Sequence, residues 1–308
     1  DGDGLHRGSR KLHPGPRVDT VGMSETMFDM IEVQGQPAVR VQSPDGAQAT
    51  VLLHGAQVIS WVPAGGANQL YLSPEAVIAP GQAVRGGVPV VFPQFAQRGP
   101  DTSLPRHGLL RTRAWTVESS RQEKDHAQLT LVFDDTAETR ALWPHSFTTE
   151  MTVSVSNTRL DLELYVQNPG QTPWSFTAAL HTYLAVSDVT QARLLGLEGR
   201  PFEDTVLDER HIEDHPEKRF YGEFDRIYSG VKDLLLRDGP RRVNITQAGW
   251  PDAVVWNPGP HKCAALADMP EADWQHMLCV EAAAVFEPIT LGAEEEWSGR
   301  QSLVLLTE

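Results

Sequence analysis

The sequence is poor in cysteine. Its two residues, Cys263 and Cys279, cannot build a disulfide framework, and neither stands in a CxxC pair or a four-ligand zinc spacing. They read as two reduced thiols of a cytoplasmic chain. Long apolar runs are missing too: nothing approaches the roughly 18 residues a membrane helix needs. Positive charge is in deficit, with 26 Lys+Arg against 41 Asp+Glu and a net charge of −15. A field of that sign repels polyanions, which argues against nucleic acid or an acidic membrane as partner. There is no GxGxxG opening a helix and no GxxxxGK[ST], HExxH or GxSxG, so nucleotide, zinc-protease and serine-hydrolase chemistry lack support. His211 and His215 have i, i+4 spacing, but they stand among Glu209, Arg210, Glu213, Asp214 and Glu217 beside Pro216. That context reads as a solvated loop, and no metal or cofactor is expected.

What is present is a β pattern with material for a large core. The chain is 40 % hydrophobic and holds 8 Trp, 5 Tyr and 10 Phe. Met151, Val153 and Val155 alternate with polar residues, as do Leu160, Leu162, Leu164 and Val166. With Ser156–Asn157–Thr158–Arg159 between them, these runs predict a hairpin with one buried face. Similar runs are Thr50–Leu53, Gln57–Val62, Gln128–Phe133, Phe176–Tyr183, Val243–Thr246, Ala253–Trp256, Met277–Val285 and Ser302–Leu306, separated by turn signals such as Asn257–Pro258–Gly259. Helical signals are few: Asp135 followed by Glu138 predicts a capped turn through Leu142, stopped by Pro144, and Glu271–Gln275 a second short turn. The expectation is an all-β, antiparallel sandwich in one domain over 23–308, preceded by a flexible leader or appended segment over 1–22.

Three features point to chemistry. Glu281 interrupts the apolar run Met277–Phe286, and an ionisable group there is costly unless paired or used. On a strand it shares a face with Met277, Cys279 and Ala283, where desolvation raises a carboxyl toward the range of a general base. A buried Glu paired with an Arg for packing is the bland alternative. His181 sits on a half-apolar strand beside Thr177, Ala179 and Tyr183; it is either a satisfied core histidine or the acid partner of a carboxylate. Residues 76–117 carry Arg85, Arg98, Arg106, Arg111 and Arg113 against one acid, Asp101, a local charge of +4 that leaves −19 for the rest. Arg forks suit phosphate, and Gly86 and Gly87 beside Arg85 suit close approach of backbone and ligand. His107 adds a polar group to this patch. Asp225–Arg226 is an ordinary dipeptide unless context raises it, and Trp256 fits a sugar-stacking platform or a core residue before a turn equally well.

Taken together, Val84–Phe95 (VRGGVPVVFPQF), His107–Arg111 (HGLLR), Leu142–Pro144 (LWP), Leu180–Leu184 (LHTYL), Asp225–Tyr228 (DRIY), Asp252–Pro258 (DAVVWNP) and Cys279–Ala283 (CVEAA) resemble, in order, the glucose-6-phosphate 1-epimerase family of the galactose mutarotase-like fold. The resemblance implies a large antiparallel β-supersandwich and cofactor-free interconversion of hexose 6-phosphate anomers. It implies Glu281 as general base, His181 as general acid, Arg85 and Arg111 as phosphate contacts, Asp225 as a sugar-hydroxyl acceptor, and His107 near the ring oxygen. The residue before His107 is Gln in some members and Arg106 here, which makes Arg106 a candidate phosphate contact instead. A monomer acting on a small sugar phosphate is expected. The alternatives are an aldose 1-epimerase on neutral sugars and a non-catalytic carbohydrate-binding sandwich.

Overall fold

Alternation settles the first contacts. In the computed structural model, which describes residues 28–307, Thr148–Ser156 and Arg159–Gln167 pair antiparallel from Ser156↔Arg159 to Thr148↔Gln167. Met151, Val153, Val155, Leu160, Leu162, Leu164 and Val166 are fully buried, as the period-two pattern requires. Asn157 makes the turn at φ 36°, a left-handed conformation Asn tolerates. The expected leader boundary at 22/23 lies outside the described residues.

Among the described residues all pairings between named strands are antiparallel, and they form three sheets. Four consecutive strands, Phe28–Val33, Gln36–Gln42, Gln48–Leu52 and Val58–Val62, make the smallest. The nine-stranded sheet includes the hairpin, Ala127–Asp134, Arg241–Ala248 and Glu296–Leu306. The eight-stranded sheet carries the site: Glu209–Ile212, Pro201–Asp204, Phe224–Ser229, Asp252–Asn257, Met277–Leu291, Trp174–Leu180 and Val90–Val91 in spatial order, with Tyr183–Ala185 also paired to Met277–Leu291. The smallest sheet joins the expected runs at 50–53 and 57–62 to two strands within 28–42, whose charged and exposed positions hid them in the sequence.

The eight-stranded sheet has two unlike faces. Leu278, Val280, Ala282 and Ala284, with Ala253, Val255, Ala178 and Leu180, join the main apolar cluster together with side chains of the other two sheets. The opposite face holds two smaller clusters. Met277, Cys279 and Tyr183 lie in one, and Ala283, Ala179, Val254 and Ile227 in the other. Glu281 falls between them on the same strand.

Helix is scarce. Ala137–Leu142 forms as expected, but its cap is Thr136, not Asp135: Thr139 N–H donates to Thr136 Oγ1 at 3.2 Å, and Thr136 N–H donates to Thr139 Oγ1 at 2.8 Å. Asp135 is already engaged, accepting from Phe147 N–H at 3.0 Å and from Arg140. The second expected turn lies slightly later, at Asp273–His276. The turn signal at Asn257–Pro258–Gly259 opens a helix, Gly259–Ala264, in which Pro occupies the tolerated first-turn position.

Candidate active site

The buried carboxylate is positioned by register. Met277–Leu291 pairs with Asp252–Asn257 so that Val254 lies opposite Glu281 and Trp256 opposite Cys279. On its other side Leu180 pairs with Ala282 and Tyr183 with Cys279. The strand Trp174–Leu180 breaks off at His181–Thr182, yet the register continues unchanged across the gap, which sets His181 opposite Glu281. The gap is anchored at three points. His181 N–H donates to Pro89 O at 3.0 Å, Val280 N–H donates to Thr182 O at 3.0 Å, and Thr182 Oγ1 donates to Gln301 Oε1 at 2.5 Å. His181 Nδ1 is 3.3 Å from Glu281 Oε1. This contact is not a hydrogen bond, and neither His181 Nδ1 nor Glu281 Oε2 has a hydrogen-bond partner in the structure.

This pair lies in a cleft of about 540 Å³ whose lining includes the seven residues that the resemblance assigned to a site: Arg85, Arg106, His107, Arg111, His181, Asp225 and Glu281. Burial, with Asp225 adding like charge, holds the Glu281 carboxyl well above the usual carboxylate range. Burial and the charges of Arg111 and Arg85 lower His181 to about 3. Both directions favour the uncharged pair. The imidazole stacks on Tyr183 at 4.9 Å and 13°, and meets Trp256 edge-on at 6.1 Å.

Arg85 and its glycines act differently from the sequence reading. A Cβ on Gly86 would lie 2.5 Å from Tyr71 O, and one on Gly87 2.1 Å from Val58 O, both at positive φ. The close approach is therefore to neighbouring backbone and not to a ligand. It holds the Arg85 segment, whose carbonyl accepts from Ser73 N–H at 3.0 Å. The Arg85 Nε donates to both oxygens of Asp268, at 3.1 and 3.2 Å, and Nη1 donates to Tyr183 Oη at 3.2 Å. Arg111, on the 3₁₀ turn Leu110–Thr112, donates from Nη2 to Arg106 O at 3.0 Å, and Arg106 itself is exposed. His107 adopts φ 63° and its Nδ1 accepts from Ala96 N–H at 3.0 Å, which fixes a neutral imidazole. Burial and the neighbouring His181 and Arg111 push its pKa far down. Asp225 lies opposite Trp256 in the sheet, its carboxyl raised by burial.

Arg98 also lines the cleft, and it and the remaining candidates are engaged in ion pairs. Arg98 pairs with Glu203, and Arg113 donates to Glu138 at 3.0 Å. Arg226 points away from Asp225, donating to Asp204 at 2.8 Å with its guanidinium 4.3 Å over Phe202. His211 stands on a strand, not a loop, and pairs with Glu209, whereas His215 pairs with Asp214. Tyr183, Trp256, Asp268 and Lys262 also line the cleft. Trp256 thus belongs to the cleft lining, and Asp268 and Lys262 join it although in the sequence they look like ordinary surface charges between turns.

A buried carboxyl opposed to an imidazole, with arginines around the same cleft, can move protons on a bound polar ligand. A sequence profile of the aldose 1-epimerase family matches residues 37–304. The chain belongs to the aldose 1-epimerase family. A relative from Cenchrus ciliaris, provisionally named glucose-6-phosphate 1-epimerase, is 34% identical over 286 residues, 85% of this chain and 86% of its own length. One of the same provisional name from Escherichia coli is 34% identical over 253 residues, 78% of this chain and 81% of its own length. A solved structure from Salmonella typhimurium, described provisionally as a mutarotase, superposes with a TM-score of 0.84 at 25% identity, covering 95% of this chain and 97% of that one. The fold is that of the galactose mutarotases, and the family acts as epimerases on carbohydrates.

Proposed function

We propose that the chain interconverts the α and β anomers of glucose 6-phosphate without a cofactor. The observation that carries this reading is the opposition of His181 and Glu281 in a cleft that also holds Arg85, Arg106 and Arg111 within an otherwise acidic chain. As carboxylate, Glu281 takes the proton of the C1 hydroxyl while the His181 imidazolium protonates the ring oxygen. The C1–O5 bond breaks, the C1–C2 bond rotates, and reclosure returns both protons with the carbonyl presenting its other face. Opening turns carboxylate and imidazolium into carboxylic acid and neutral imidazole. Burial favours that uncharged pair, so the site lowers the cost of the opened stage. The charged pair needs only one proton shifted from carboxyl to imidazole. A phosphate against Arg85 and Arg111 helps that shift by cancelling part of the positive field that keeps His181 neutral. Asp225 and His107 orient the sugar.

The same reading takes 23–308 as one domain, supported by a single apolar cluster running from Val39 to Leu303 through all three sheets. It takes the protein as a cytoplasmic monomer, in keeping with two buried free cysteines. No helix among the described residues is long and apolar enough to cross a membrane. NMR exchange spectroscopy on equilibrated glucose 6-phosphate and glucose, with and without protein, tests the function. Exchange accelerated much more for the phosphate is expected. Equal acceleration for both would favour a neutral-sugar epimerase, and no acceleration a binding module.

A further inference from the structure

The acid–base mechanism has no use for Cys279, yet this thiol lies next to the pair. Its side chain is on the same strand face as Glu281, two residues away, and its register partner on the next strand is Tyr183, which stacks on His181. One ligand atom each from His181, Cys279 and Glu281 lie within 4.8 Å of one another, and the residues are 8%, 0% and 1% exposed. The Nδ1 of His181 and Oε2 of Glu281 are buried polar atoms without a partner. Such atoms are costly to leave unpaired, and each is a metal-ligand atom.

We propose that His181, Cys279 and Glu281 form an inhibitory binding site for a soft divalent transition-metal ion, foremost Zn²⁺. Tetrahedral zinc with bonds of about 2.0–2.3 Å brings ligand atoms to about 3.3–3.6 Å from one another. The 3.3 Å from His181 Nδ1 to Glu281 Oε1 already meets this, and the sulfur closes the remainder by side-chain rotation. Three protein ligands leave the fourth position to the cleft. Sulfur selects zinc, cobalt or cadmium over magnesium and calcium. The ion takes the thiolate and the carboxylate, so their protons pass to solvent. Bound metal occupies both the acid and the base, and it competes with sugar.

Co²⁺ is the probe, added to the full chain. One equivalent should produce the near-ultraviolet thiolate-to-cobalt charge-transfer band. Cys279→Ala and Cys279→Ser should each lose the band, and Cys263→Ala should keep it. Zn²⁺ should inhibit anomer exchange reversibly to EDTA, Mg²⁺ should not, and Cys279→Ala should keep its basal rate while needing at least tenfold more Zn²⁺. Absence of the band from the wild type, its survival in both Cys279 variants, or equal Zn²⁺ sensitivity of wild type and Cys279→Ala would overturn the site. The cobalt spectrum does not depend on the epimerase reading, so failure of that reading alone leaves the spectrum as expected.

Discussion

On the strand Met277–Leu291, side chains one position apart meet opposite surroundings. Leu278, Val280, Ala282 and Ala284 face the main core and touch apolar neighbours. Cys279 and Glu281 face the cleft side, where a carboxyl is held with an unpartnered oxygen at 1% exposure. Burial alone does not mark a structural residue, because both faces are buried. What separates them is whether the polar group is satisfied. The core face spends its burial on stability, through about 25 cal/mol for each Å² of apolar surface removed from water. The cleft face carries a desolvation cost that raises both the Cys279 thiol and the Glu281 carboxyl.

This contrast predicts that the two faces fail in different assays. The largest effect belongs to Glu281→Gln, which keeps shape and burial but removes the proposed base. Anomer exchange should fall about 10²–10⁴-fold, with the urea midpoint at or above that of the wild type. Leu278→Ala, from the core face, should cost about 2–5 kcal/mol of unfolding free energy in urea titration and leave exchange by the folded fraction nearly unchanged. Loss of exchange in folded Leu278→Ala as large as that in Glu281→Gln would erase the distinction. Arg85→Ala should raise KM for glucose 6-phosphate about 10–100-fold, from hydrogen bonds to a charged group worth about 1.5–3 kcal/mol, and barely alter KM for glucose.

The smallest effect is a pH slope. Folded His181 stays neutral down to about pH 3 from an ordinary value of 6.5, so over that window the unfolded chain binds more protons and stability falls as pH falls. His107 acts in the same direction. Glu281 acts in the opposite sense: its raised carboxyl contributes fully below the ordinary carboxylate range and loses that contribution as pH rises. Urea midpoints measured between pH 6.5 and 3 should fall less steeply in His181→Gln than in the wild type, and parallel curves would contradict the assigned shift.

Glu281 was legible in the sequence because a charge inside an apolar strand is expensive wherever the strand packs. His181 was legible only as a candidate. Its opposition to Glu281 depends on register carried across a broken strand, a pairing between residues 100 positions apart that no local pattern encodes. The same limit hid Asp268, whose contact with Arg85 spans 183 residues. The glycines beside Arg85 were visible, but their purpose was not: the neighbouring backbone that excludes a Cβ comes from Tyr71 and Val58. At Thr136 a short polar residue beside a better-known capping residue took the cap because Asp135 was committed elsewhere. Local periodicity fixed most strands of the two large sheets, whereas residues 28–42 show too little alternation to announce theirs.

The proposed mechanism requires the cleft face to do chemistry that the core face does not. Exchange spectroscopy of α- and β-glucose 6-phosphate, with Glu281→Gln and Leu278→Ala measured side by side at a temperature where both are folded, tests this directly. Exchange is expected near the spontaneous rate for Glu281→Gln and near the wild-type rate for Leu278→Ala. Wild-type exchange by Glu281→Gln would contradict the proposed mechanism.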